Sequence, residues 1–450
     1  MELKEIIKRI EQSGHRKVKY AVCDIDGILR SKIIHRDKFI SIAREGTGFC
    51  DVIYGWDAQD ACYDNAALTG WHTGYPDRKV TLDLSTFRNI PWENDMPYFL
   101  ADFSQEESGK VPCPRTLLKK ISSESDDMGF RALFAHEYEW FNFTGTPAQL
   151  AASDYRDLTP ISPGMFGYSQ TRPVLYRDYY HELFDFLEKF SVPVESFHTE
   201  TGPGVYEASL RYTELPEAAD RSVLFKSAVK EIAYRHGIVA TFMAKWNENL
   251  PGSGGHIHQS LQSKETGENL FRLNSHTGVM SDLLEQYLAG QLLCLPEIMP
   301  MYAPTINSYK RLRLGAWAPT SVTWGHDNRT AAIRLVGSDE SARLEMRVPG
   351  ADCNPYLAMA ASLASGLYGI KNKLKLQVPE TIGNAYEQAG AVKLPASLAE
   401  AAASMRNSAL ARELFGDSFV DHFTGTREWE CREFARSVTS WELKRYLEII

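Results

Sequence analysis

Apolar and polar positions alternate along the chain with two periods. In the opening "LKEIIKRIEQ", Leu3, Ile6, Ile7 and Ile10 fall at helical spacing with charges between them, which predicts an amphipathic helix. The next stretches, "VKYAVCDI" and "ILRSKII", flank the turn-forming pair Asp26-Gly27, with Asp24 just before it, and read as two short strands. Strand-like segments continue through "GTGFCDVIYGWDAQD", "DRKVTLDLSTFRNIPW" and "YFLADF" to the polar stretch "SQEESGKVPCP" at 104–114. We place a linker there, dividing the chain into a small strand-rich unit, 1–107, and a larger one, 108–450. In the larger unit, helical periods ("RTLLKKISSES", "YYHELFDFLEKF", "RSVLFKSAVKEIAYRHG", "SDLLEQYLAGQLLCL") alternate with strand periods ("RALFAHEYEWFNF", "GIVATFMA", "AAIRLVG", "SARLEMRV"). That succession predicts an α+β fold ending in mixed-charge helices.

Composition narrows the classes. A chain of 450 residues with 44% hydrophobic content exceeds the size at which single cores stop growing, which agrees with a two-part reading. A net charge of -9 repels a nucleic-acid backbone, so no nucleic-acid partner is expected. No apolar run is long enough to span a bilayer and the charged opening helix is unlike a signal peptide, so no membrane partner is expected either. The seven cysteines are odd in number, scattered and without a CxxC pair, which is unlike a disulfide framework or zinc knuckle and fits the cytoplasm.

Four constellations carry chemistry. In "LFAHEYEWF", Glu137 and Glu139 stand two apart, so on a strand both carboxylates share a face while Phe134, Tyr138 and Trp140 fill the other. In "HTETGPGVYEASLRY", Glu200 and Glu207 flank a Gly-Pro-Gly turn that can fold them toward one another. In "PGSGGHIHQS", a glycine-rich loop leads into His256 and His258 at strand spacing, followed by Ser260. In "RLEMR", Arg343, Glu345 and Arg347 alternate, so on a strand two cations surround one carboxylate. Glutamates with an imidazole form a largely hard-oxygen donor set suited to Mg²⁺ or Mn²⁺, ions that carry phosphate chemistry. Arg311, Arg329, Arg334, Arg343 and Arg347 add donor forks matched to phosphate and carboxylate oxygens, which suggests anionic substrates.

In this order, from about Tyr20 to Tyr446, the segments resemble the glutamine synthetase superfamily. The resemblance implies a small N-terminal β-grasp domain and a larger catalytic domain built on a curved antiparallel sheet. It implies that Glu137, Glu139, Glu200, Glu207, His256 and Glu345 hold two or three divalent ions: Glu139, Glu200 and Glu207 nearer L-glutamate, the others nearer the ATP phosphates. It further implies that Tyr212, His258, Ser260 and Arg343 bind the nucleotide. Arg311, Arg347 and Gly252, with the ion-holding Glu139 and Glu200, bind glutamate, and Arg329 and Arg334 steady the transferring phosphoryl group. The chemistry implied is phosphorylation of the glutamate γ-carboxylate and attack of a nitrogen nucleophile on the acyl phosphate. The implied assembly is a homo-oligomer, a dodecamer of two stacked six-membered rings.

The sequence departs from ammonia-using members of that family at the flap, where they carry a glutamate and "GAWAP" places Trp317. An indole cannot accept a proton, whereas it can wall an apolar or cation–π pocket, so an organic primary amine is the expected nucleophile. "WDAQD" corresponds to the family's ammonium pocket and leaves Asp57 as the base, with Asp60 in place of a serine. Pro251 replaces an asparagine before the glycine loop. The expected activity is therefore an ATP-dependent glutamate–amine ligase. Two alternatives stay open: an ammonia-dependent glutamine synthetase, and a catalytically silent relative.

Overall fold

Burial along the first strand sets up the smaller sheet. In the computed structural model, which describes all residues except 1, 105, 106, 108, 275 and 277, Val18 and Tyr20 of strand β1 (Lys17–Cys23) are buried. Strand β2 (Leu29–His35) pairs with β1 in antiparallel register through the turn at Asp24–Ile28, whose backbone is held by the Asp24 carboxylate accepting from the amides of Asp26 and Ile28. Strands β3 (Thr47–Cys50), β4 (Asp77–Ile90) and β5 (Met96–Phe103) complete a five-stranded sheet of order β2-β1-β5-β4-β3, with β1 and β5 parallel. The opening helix Leu3–Gln12 buries Ile6 and Ile10, and a helix the pattern did not suggest, Arg36–Glu45, buries Phe39 against Phe99. This is a β-grasp sheet. Residue 108, where the larger unit was expected to start, lies outside the described residues.

The second sheet has nine strands. Along its path run β12 (Trp324–His326), β13 (Ile333–Val336), β14 (Arg343–Met346), β11 (Gly255–Ser263), β6 (Phe130–Thr144), β8 (Val205–Leu210) and β7 (Val194–Thr199), with β9 (Thr213–Glu214) and β10 (Ile238–Thr241) also pairing with β6. All its pairings are antiparallel except β12 with β13. One face of the long central strand β6 carries Phe134, Tyr138 and Trp140, all fully buried, with Tyr138 stacked on Phe225 of the helix Glu217–Arg235. The other face is left for Glu137 and Glu139. Helices Asp282–Cys294 and Pro355–Lys371 cross so closely that a Cβ on Gly290 would sit 2.2 Å from the Ser365 carbonyl.

A buried cation ties the smaller sheet to the helix Glu217–Arg235, which packs on the larger one. Arg115, on the helix Pro114–Asp127, donates to both oxygens of Asp220 at 2.7 Å, to Asp102 of β5 at 2.6 Å and to Asp83 of β4 at 2.9 Å. Three carboxylates around one guanidinium satisfy a charge that burial would otherwise make costly.

Candidate active site

Strand register gathers the chemistry. Directly opposed residues on neighbouring strands share a face, so the pairings Glu137 with His256 and Ser209, Glu139 with Glu207, Glu207 with His198, and Glu345 with His258 and Arg334 bring six strands' polar side chains together. His256 Nδ1 lies 3.2 Å from Glu137 and 3.4 Å from Glu345, and His258 Nε2 lies 3.5 Å from Glu137. Donor atoms of Glu137, His258 and Glu345 all fall within 4.8 Å of one another, and so do those of His198, Glu200 and Glu207. The Ser209 hydroxyl donates to Glu137 at 3.0 Å, fixing the orientation of that carboxylate.

"RLEMR" forms a buried site and not a solvated edge. Glu345 is fully buried. One of its oxygens accepts from Arg347, and the other accepts from Arg334 at 2.9 Å. Burial alone would raise the Glu345 carboxyl, but Arg347, His256 and His258 hold it down at about 2. Glu137, against its burial, is likewise brought well below the usual carboxylate range by His256 and His258. Glu207 behaves oppositely: burial, with Glu137 and Glu139 nearby, pushes it up to about 7 despite the pull of His198. A face crowded with carboxylates beside an imidazole nitrogen, His256 Nε2, that is buried without a partner among the described residues fits divalent cations bound by oxygen and nitrogen. The residues present therefore suit the ions that the resemblance implied.

The groups differ in two respects from the expected division of ligands, and in the first it is His258, not His256, that falls with Glu137 and Glu345. In the second, Glu139 turns an oxygen onto the Gly254 amide at 2.7 Å, and His198 stands in its place beside Glu200 and Glu207. His198 escaped the sequence reading although it precedes Glu200 by two residues, the same strand spacing that marked Glu137 and Glu139. The Tyr168 ring lies 4.4 Å from the His198 ring and comes from a loop that no periodicity marks.

A cleft of about 760 Å³ opens beside the first group. Tyr212, His258, Ser260 and Arg343, the four residues expected to bind the nucleotide, line it together with Glu137. Arg343 donates to His258 Nδ1 at 3.3 Å. Arg311, buried at the end of the short helix Ser308–Arg311, donates to the carbonyls of Val348 and Arg347 at 3.0 and 3.3 Å. Gly252 packs so closely on it that a Cβ there would lie 2.9 Å from Arg311 Cγ and 2.5 Å from the Ala244 carbonyl. Arg347 donates through Nε to the Arg329 carbonyl at 3.0 Å, while the exposed Arg329 side chain makes no hydrogen bond or ion pair among the described residues. Arg334 also pairs with Asp327. Two further expected residues lie on loops. Asp57 caps its own loop, accepting from the amides of Gln59 and Ala61. Trp317 is 67% exposed in a left-handed conformation, φ 55°, on the turn after Arg311.

A β-grasp sheet joined to a nine-stranded sheet with carboxylates, imidazoles and arginines on one face defines a metal-dependent, anion-handling enzyme class. Residues 111–446 match the glutamine synthetase catalytic domain, and the chain belongs to the glutamine synthetase family. It is 49% identical over 99% of its length to type-1 glutamine synthetase 2 of Dictyostelium discoideum, covering 86% of that protein. It is 37% identical over 98% of its length to a glutamate–isopropylamine ligase of a Pseudomonas species, covering 97% of it. It is also 37% identical over 94% of its length to a γ-glutamylethanolamide synthetase of Streptomyces coelicolor, covering 91% of it. Among solved structures, ligand-free GmaS superposes with a TM-score of 0.85 at 25% identity, over 99% of this chain and all of that one.

Proposed function

We propose that the chain is an ATP-dependent ligase that joins L-glutamate to an organic primary amine through a γ-glutamyl phosphate. The observation that carries this reading is the strand register, which sets the carboxylate and histidine groups beside a cleft lined by Tyr212, Ser260 and Arg343. Tyr212 offers its ring to the adenine, and His258, Ser260 and Arg343 face the sugar and phosphates. Glu137, His256 and Glu345 hold one cation and Glu139, Glu200 and Glu207 the other, with His258 and His198 as neighbouring donors. Divalent ions there would polarise phosphoryl oxygens and screen charge between the two anionic substrates. Gly252, Arg311 and Arg347 seat glutamate, and the free fork of Arg329 with Arg334 meets charge developing on the phosphoryl group. Phosphate then leaves as the amine attacks. Asp57 serves as base from a neighbouring copy in a ring assembly, two stacked six-membered rings, in which units 1–107 and 108–450 of adjacent chains meet.

The names of relatives divide over the nucleophile: two are amine ligases and one a glutamine synthetase. Trp317 favours the amine, because an exposed indole supplies an apolar and cation–π wall and no proton acceptor. Phosphate release from ATP and L-glutamate is to be measured with ammonia, methylamine, ethanolamine, isopropylamine and aniline. At least one amine is expected to exceed ammonia by about tenfold in kcat/KM, and Trp317→Glu to lower that amine's kcat/KM by about tenfold, the loss of a contact of about 1–2 kcal/mol, while raising the value for ammonia. A wild type that prefers ammonia to every amine would replace this reading with glutamine synthetase. No release with any nucleophile would leave a catalytically silent relative.

A further inference from the structure

A second cavity, of about 450 Å³, shares no lining residue with the cleft beside Glu137. It lies where the turn at the start of β2 meets the helices Glu217–Arg235 and Asp417–Arg436. Lys226 and Lys230, one helical turn apart, line it with no carboxylate paired to either among the described residues. Lys226 donates to the Cys353 carbonyl at 3.0 Å, whereas Lys230 makes no hydrogen bond or ion pair among the described residues. The two ammonium groups lie 5.8 and 6.0 Å from the centre of the Phe242 ring. Burial, with Lys226 adding to it, pulls Lys230 down to about 8, as expected of a cation with no partner.

Uncommitted acceptors line the same space. Glu430 has no hydrogen bond or ion pair among the described residues. Asp352 gives one oxygen to Thr305 and Ser308 and keeps the other, Oδ1, buried without a partner among the described residues. Arg427, by contrast, is committed to Asp26 at 2.7 Å and to the Pro304 carbonyl at 2.8 Å. Counting every charge on the wall, Lys226, Lys230 and Arg427 face Asp26, Glu231, Asp352 and Glu430. A simple anion would enter a wall of net negative charge, and a simple cation would meet the two lysines. A small zwitterion satisfies both sets, and the exposed Ile28 and Met243 offer it an apolar flank.

We propose that this cavity binds a free α-amino acid with an apolar side chain, its carboxylate on Lys226 and Lys230 and its ammonium on Glu430 and Asp352. The site is separate from the one proposed for glutamate, so neither reading depends on the other. Calorimetric titration of the full chain without ATP, using L-alanine, L-leucine and L-phenylalanine, tests it. At least one is expected to bind with a Kd of about 1 mM or tighter, and Lys230→Met and Glu430→Gln each to weaken it by about tenfold or more. Ser227→Trp, which fills the cavity from its own wall, should abolish binding and serves in place of Lys230→Met if that variant does not fold. Arg347→Lys, at the separate site, should leave it within about twofold. Absence of binding by all three amino acids overturns the proposal. So does binding that follows Arg347 and not Lys230, which would place it at the glutamate site. Binding matched by propionate and indifferent to Glu430→Gln would make the cavity a plain anion site and overturn it as well.

Discussion

Arg347 illustrates how one side chain carries two duties. Its guanidinium holds the Glu345 carboxylate and the Arg329 carbonyl, which fixes the fork before any substrate arrives. Arg347→Lys keeps a cation near Glu345 but loses the planar fork. Steady-state kinetics should show the glutamate KM rising by about tenfold or more and the ATP KM by less than about threefold. An unchanged glutamate KM would remove Arg347 from that site. At this scale the sequence was legible wherever side chains alternate, because period two fixes the face: Arg343, Glu345 and Glu137 all share the polar side on which register gathers them. His198 follows the same spacing and was passed over, since a single imidazole beside a turn carries little signal until Glu207 is seen opposite it.

Among the elements, the crossing of helices Asp282–Cys294 and Pro355–Lys371 depends on missing side chains. A Cβ on Gly290 would come within 2.2 Å of the Ser365 carbonyl and 2.7 Å of the Gly369 backbone. Backbone atoms cannot rotate aside, so Gly290→Ala must push the helices apart. Chemical denaturation should show a loss of about 3 kcal/mol or more, with residual folded enzyme retaining its substrate KM values. A loss below about 1 kcal/mol would mean that the crossing adjusts freely. The helix Pro355–Lys371 has no amphipathic period because nearly its whole circumference is buried, so the pattern that marked Glu217–Arg235 was absent there. Helix Arg36–Glu45 was missed for a different reason: only Phe39 and Ile42 are buried in it, too few positions to display a period.

Across the whole molecule, His422 joins the loop that follows β3 to the helix Asp417–Arg436. Its Nδ1 accepts from the Leu68 amide at 3.1 Å, and Nε2 lies 2.9 Å from the Tyr54 carbonyl. Burial pulls this imidazole from its ordinary value of 6.5 down to about 4, with Arg427 opposing the backbone carbonyl that would raise it. The unfolded chain therefore binds the proton first. The stabilisation is complete above about 6.5 and is lost as pH falls from there toward about 4, by about 3 kcal/mol in all. Denaturation curves at stepped pH should show that slope in the wild type and a shallower one in His422→Gln. Equal slopes would assign the acid sensitivity to other groups.

The sequence by itself determined the mixed α+β class, the succession of most strands and helices, and the residue types able to hold cations and anions, because local periodicity and side-chain chemistry are properties of neighbouring residues. Tertiary structure decided the rest. Glu137 and Glu345 are distant in the chain, and only the order β14-β11-β6 brings both to His256. That Glu345 sits low and Glu207 high follows from which cations and carboxylates pack around each, a matter of strand order that no local pattern encodes. The cavity between Lys230 and Glu430 was likewise invisible in sequence, since two ordinary surface-type residues become unpaired only when distant helices close around them.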